Sequence, residues 1–172
     1  MKFVTFRRGA KAPEPGVVLG ERVVSLAGAG YGDLIAVLAH CDEARARIEN
    51  WVFNPPSEAV SDLAAVKLLA PVPRPPKFIC VGLNYRDHAI ESGMEIPSVP
   101  TIFNKFPNVV IGPGDPIVLP KVSTRPDYEA ELAFVIGRGG RAIPAARWRD
   151  HVFGYTIVND VSARDFQLAT SQ

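Results

Sequence analysis

Apolar positions come in short runs whose period changes along the chain. Alternation over Val4 to Phe6, Gly16 to Leu19 and Arg22 to Ser25 predicts three strands, with Gly20-Glu21 as a two-residue hairpin turn between the last two. The period then lengthens. Tyr31 to Ala39 and Glu43 to Val52 carry apolar residues at helical spacing, and Asp42 is placed to cap the second helix. Prolines 71, 73, 75 and 76 can continue neither a helix nor a central strand, so a linker is expected there. Beyond it, Phe78 to Val81, Thr101 to Phe103, Ile117 to Leu119, Glu129 to Ile136 and Tyr155 to Asp160 read as short strands. Gly and Pro at such close intervals suggest a bent antiparallel or mixed sheet, a roll or barrel, more than a doubly wound fold. The expected class is mixed and β-rich (α+β), with a small β/α domain over residues 1–70 and a second domain over 71–172.

Composition narrows the function classes. With 47% hydrophobic and 22% charged residues the chain has the usage of an ordinary globular protein. Its 16 prolines are nearly twice the common share of about 5%. A formal net charge of +1 gives no global field for nucleic acid or an anionic membrane. No apolar run approaches the roughly 18 residues of a membrane span, and the alternating, basic start is unlike a signal peptide. Cys41 and Cys80 lie too far apart for a CxxC and read as buried or partly buried thiols. A cytoplasmic protein is the expectation.

The chemistry lies after the linker. On a strand over Tyr128 to Ile136, Glu129, Glu131, Ala133 and Val135 share one face, and Tyr128, Ala130, Leu132, Phe134 and Ile136 the other. Two neighbouring carboxylates resist burial unless solvent, a proton or a cation relieves them. For Glu-x-Glu alone, a strand face wet on one side is the more ordinary reading. A third acid, Asp160, ends a strand-like run and enters the polar turn Ser162-Ala163-Arg164-Asp165, an unusual place for core packing. Three carboxylates suit Mg²⁺ or Mn²⁺, with Ca²⁺ a further candidate, whereas no His or Cys stands at zinc spacing. Arg164 and Asp165 read as an ion pair beside that turn or as support for the ligands. A short helix is predicted over Leu83 to Gly93, with Asn84 as its cap and Gly93 as its stop. His88 and Glu91 share one face of it, the arrangement of a carboxylate-oriented base and also of a solvated surface pair.

These segments, taken in order, resemble the fumarylacetoacetate hydrolase family. The resemblance is carried by Val81-Gly82-Leu83-Asn84-Tyr85-Arg86-Asp87-His88-Ala89-Ile90-Glu91, Ile102-Phe103-Asn104-Lys105-Phe106, Asp127-Tyr128-Glu129-Ala130-Glu131-Leu132 and Asn159-Asp160-Val161-Ser162-Ala163-Arg164-Asp165-Phe166-Gln167. It implies Glu129, Glu131 and Asp160 as Mg²⁺ or Mn²⁺ ligands, and His88 with Glu91 as a water-activating dyad. It also implies Lys105, Gln167 and Arg164 as substrate-binding residues, a mixed β-sandwich roll and a homodimer. The implied reaction is hydrolysis of a carbon–carbon bond in a small 1,3-dicarbonyl, acylpyruvate-like substrate through a stabilised enolate. Decarboxylation, isomerisation or dehydration of a 2-keto or 2-hydroxy acid on the same site, or a truncated, non-catalytic metal-binding protein, stand as alternatives. Family members continue past the Ala-Arg-Asp-x-Gln segment into strands that close the roll, so an incomplete catalytic domain is expected. The tail Thr170-Ser171-Gln172 reads as an interrupted chain.

Overall fold

The computed structural model describes residues 1–169. The expected mixed, β-rich class holds. Strands β1 (Lys2–Arg7), β2 (Glu14–Leu19) and β3 (Arg22–Ser25) form where alternation predicts them, and all pair antiparallel. Gly20, at φ +59°, takes the left-handed position that the tight β2–β3 turn requires.

Helix α1 (Leu34–Ala39) begins three residues later than its apolar pattern, because the Asp33 side chain accepts from the Ala36 amide and sets the start. Helix α2 (Cys41–Phe53) follows directly. Asp42 does not cap it as expected: it lies inside the first turn, and His40 takes the cap position without a side-chain bond.

Two strands that sequence pattern did not predict, β4 (Val60–Asp62) and β5 (Lys67–Leu69), complete a sheet in the order β4-β3-β2-β1-β5. Three residues are too few to display alternation. One core forms here, from Val17, Leu26, Ala29, Tyr31, Leu34, Val37, Ala44 and Ile48. Trp51 packs against it and donates from Nε1 to the Ser25 carbonyl at 2.8 Å. The proline segment follows as bends, tied back by Thr5 Oγ1 donating to the Pro71 carbonyl at 2.6 Å.

Among the described residues, the remainder is built from three separate two-stranded ribbons. β6 (Phe78–Gly82) runs into α3 (Arg86–Glu91) and pairs with β7 (Thr101–Lys105). β8 (Pro126–Asp127) pairs with β11 (Ser162–Ala163), and β9 (Ala130–Ile136) with β10 (Val152–Asn159). Helix α4 (Arg164–Gln167) closes the described order. Gly93 ends α3 at φ +65°, as expected, but Tyr85 rather than Asn84 occupies its cap position and makes no capping bond.

Ile117 to Leu119 is not a strand. Pro116 and Pro120 flank it, each without an amide donor, and no strand lies beside it among the described residues. Phe153 bridges the two parts of the molecule, packing on the core and meeting the Phe3 ring at 5.0 Å between centroids. No helix among the described residues is long and apolar enough to cross a membrane. The tail Thr170–Gln172 lies outside the described residues.

Candidate active site

Strand pairing brings the three acids together. β9 and β10 run antiparallel with Val158 opposite Glu131 and Asn159 opposite Ala130. Just beyond the paired ends, the Asp160 amide donates to the Glu129 carbonyl at 2.9 Å, and the Glu129 amide donates to Asn159 Oδ1 at 3.2 Å. These bonds lock the two acid-bearing turns to each other. Ser162 Oγ also donates to Glu129 Oε1 at 3.4 Å. Glu131 is half-buried, and its carboxyl is held above the ordinary range by burial first and by the charge of Glu129 second, with Asp160 adding to the effect.

Basic side chains stand among these carboxylates. Arg164 reaches Glu129 Oε1 at 2.6 Å from Nη1 and donates from Nε to Asp127 Oδ2 at 2.9 Å. Burial works against its charge, and the bonds to Asp127 and Glu129 outweigh burial, so its pKa is raised. Arg164 therefore pairs with Asp127 and Glu129, not with Asp165. Asp165 instead accepts from Ser123 Oγ and the Thr124 amide, both at 2.8 Å, and pins that loop beside the site. Lys105, at the end of β7, pairs with Asp160 Oδ1. Gln167 Oε1 accepts from Arg164 Nη1 at 2.8 Å.

His88 and Glu91 lie exposed on α3, and among the described residues no hydrogen bond joins them. The charge of His88 is the least of the influences that lower the pKa of Asp127 and oppose the rise at Glu131. Tyr85 is a site residue that sequence reasoning missed. Its hydroxyl accepts from the Leu132 amide at 3.2 Å, joining the α3 turn to β9, and works against the raised pKa of Glu131. Its one signal in the sequence is its place inside the Asn84-Tyr85-Arg86 segment. Leu83, just before, sits at φ +50°, a strained value for a leucine that turns the chain from β6 into α3. Cys80 on β6 borders the cluster, its thiol pushed up by burial and then by Asp160.

Among the described residues, no three His, Cys, Asp or Glu side chains converge at the spacing of one bound ion. The chemistry of the donor set still suits a hard divalent cation: three carboxylates, one of them buried, with Asp160 Oδ1 shut off from solvent and lacking a hydrogen-bond partner. Lys105 and Arg164 set positive charge against two of these acids.

Known proteins resemble this chain in sequence and in fold. The model of the fumarylacetoacetate (FAA) hydrolase C-terminal family matches residues 77–172. An oxaloacetate tautomerase of Bacillus subtilis (strain 168) is 49% identical over 151 residues, covering 82% of this chain and 50% of that protein. A mitochondrial oxaloacetate tautomerase of Xenopus laevis is 52% identical over 103 residues, 60% of this chain and 32% of the relative. The crystal structure of maleylpyruvate hydrolase from Sphingobium sp. SYK-6, in complex with manganese (II) ion and pyruvate, superposes with a TM-score of 0.78 at 30% identity over 95% of this chain and 60% of that one. The chain thus spans half or less of these two curated relatives. With its order of motifs and a family match over more than half its length, the chain belongs to the fumarylacetoacetate hydrolase family.

Proposed function

We propose that this chain carries the acid cluster of a divalent-metal-dependent enzyme that enolises a small 2-keto acid. The carrying observation is the gathering of Glu129, Glu131 and Asp160 by β9 and β10, with Glu131 resisting ionisation next to two other acids. Mg²⁺ or Mn²⁺, held by those three residues when bound, would supply positive charge where a keto oxygen becomes anionic. His88 on α3 is the base that removes a proton, with Glu91 one turn away to orient it. Arg164, Gln167 and Lys105 surround the acids with donors suited to a substrate carboxylate.

Keto–enol tautomerisation of an oxaloacetate-like dicarboxylate is the first reading. Both curated relatives described above are named for that reaction, and one is 49% identical over 82% of this chain. Hydrolytic cleavage of an acylpyruvate, the reaction that the sequence motifs suggest first, is the second reading and is favoured by the maleylpyruvate hydrolase likeness. A cytoplasmic homodimer completes the proposal, the compartment supported by two free thiols, Cys41 and Cys80.

The test compares both reactions in the full chain with Mn²⁺ present, following enol absorbance of oxaloacetate and acid release from an acylpyruvate. His88→Ala should lower the operative reaction by about 10² to 10⁴, the usual share of a positioned base. Glu131→Gln should abolish it together with Mn²⁺ binding. Activity on neither substrate, or a His88→Ala variant as fast as wild type, refutes the assignment.

A further inference from the structure

The two basic residues at the acid cluster are held in different ways. Arg164 is fastened by Asp127, Glu129 and Gln167, and its amide donates to the Arg125 carbonyl at 2.9 Å, so it is part of the turn. Lys105 arrives from another ribbon and is described with one acid, Asp160. The pair is secluded, with side chains 26% and 7% exposed. Among the described residues Lys105 is the one cation paired with Asp160, whose Oδ1 is shut off from solvent. A secluded carboxylate needs a counter-charge, and here a single flexible side chain supplies it.

Resting on the metal-centre reading above, we propose that Lys105 is a resident counter-ion of the acid cluster, which must leave Asp160 before a divalent cation can bind there. Two cations at contact with one carboxylate oxygen repel strongly in a secluded site. Lys105 can move because its charge sits on a flexible four-carbon stem, whereas the planar, three-partner Arg164 cannot follow easily. The chain is then held together without metal, at the expense of metal affinity: binding is weakened by the fraction of molecules in which the ammonium has swung away. Loading also frees a positive charge at the edge of the site, beside the position expected for a substrate carboxylate.

The test is Mn²⁺ binding to the full chain, read from the electron paramagnetic resonance of the free ion, with metal-free melting measured alongside. Lys105→Met should tighten Mn²⁺ binding about tenfold if roughly a tenth of wild-type molecules are open at any time. It should also lower the melting temperature of the metal-free chain, because Asp160 loses its counter-charge. Lys105→Arg keeps a cation and should bind Mn²⁺ no more tightly than wild type. Should Lys105→Met fail to fold, Lys105→Gln takes its place with the same expectation. Equal or weaker Mn²⁺ binding by a folded Lys105→Met or Lys105→Gln chain overturns the counter-ion role and leaves the metal centre standing. Absence of Mn²⁺ binding in wild type and variants alike overturns both.

Discussion

The sheet of β1 to β5 and the ribbons of β6 to β11 draw on the same apolar residue types, yet bury them to opposite degrees. Phe6 and Ile48 are fully buried, whereas Phe134 is 57% exposed and Ile157 82% exposed. In the first region α1 and α2 supply residues to the same core as β2, so strand and helix cover one another. In the second, alternation on β9 is equally regular but the acid face, Glu131, Ala133 and Val135, is the more sheltered one. Leu132, Phe134 and Ile136 face outward, and the pairs Phe134–Tyr155 and Leu132–Ile157 extend that apolar surface onto β10. Strand pairing and face alternation thus arise locally, while core formation needs a second layer. A two-stranded ribbon has none of its own.

The sharpest way to break this contrast is truncation of one phenylalanine on each side. Phe6→Ala should cost about 3 to 5 kcal/mol, the transfer and cavity cost of a fully buried ring, and Phe134→Ala about 1 kcal/mol or less. Urea unfolding of both variants decides it. Comparable losses would mean that the β9 face is covered in solution.

An intermediate effect is expected at Glu14, which accepts from Arg8 Nε at 2.6 Å and from Ser25 Oγ at 2.5 Å. Burial raises its pKa, but the bonds from Arg8 and Ser25 prevail and hold it below the ordinary range. A carboxylate whose folded pKa is depressed stabilises fully above its unfolded value and loses that contribution as pH falls through the folded one. Glu14→Gln should therefore cost about 1 to 3 kcal/mol at neutral pH, and the gap to wild type should close on acidification. Asp127→Asn, which removes an exposed partner of Arg164, should have a smaller effect on the same melting curves. A gap that widens toward acid pH would reverse the sign assigned to Glu14.

The smallest change in stability is expected at Ile157. Ile157→Lys on the exposed β10 face should shift unfolding by no more than about 0.5 kcal/mol, while lowering concentration-dependent light scattering. A large loss of stability instead would show that Ile157 is packed.

Much of the site was legible because its parts are local. The spacing of Glu129 and Glu131 sets them on one strand face, and Gly93 stops the helix that carries His88 and Glu91. Tyr85 was not legible, since its bond to the Leu132 amide spans 47 positions. The Arg164–Asp165 neighbours suggested a pair that the turn does not make, because α4 directs Arg164 toward Asp127 and Glu129 and Asp165 toward Ser123 and Thr124. β4 and β5 are not legible because three residues carry no period, and the apolar run Ile117 to Leu119 makes no ladder because no partner strand lies beside it among the described residues.

Amino-acid order by itself determined the turns, the shared faces and the motif order that marks the family, all properties of residues within a few positions of one another. Only the tertiary structure decided which cation stands against which acid, that Lys105 meets Asp160 and Arg164 meets Glu129, and which of two regular apolar patterns is buried. Those outcomes depend on how separate ribbons pack. Charge pairing falls off with distance in space rather than along the chain, and burial belongs to a face only once another layer lies on it.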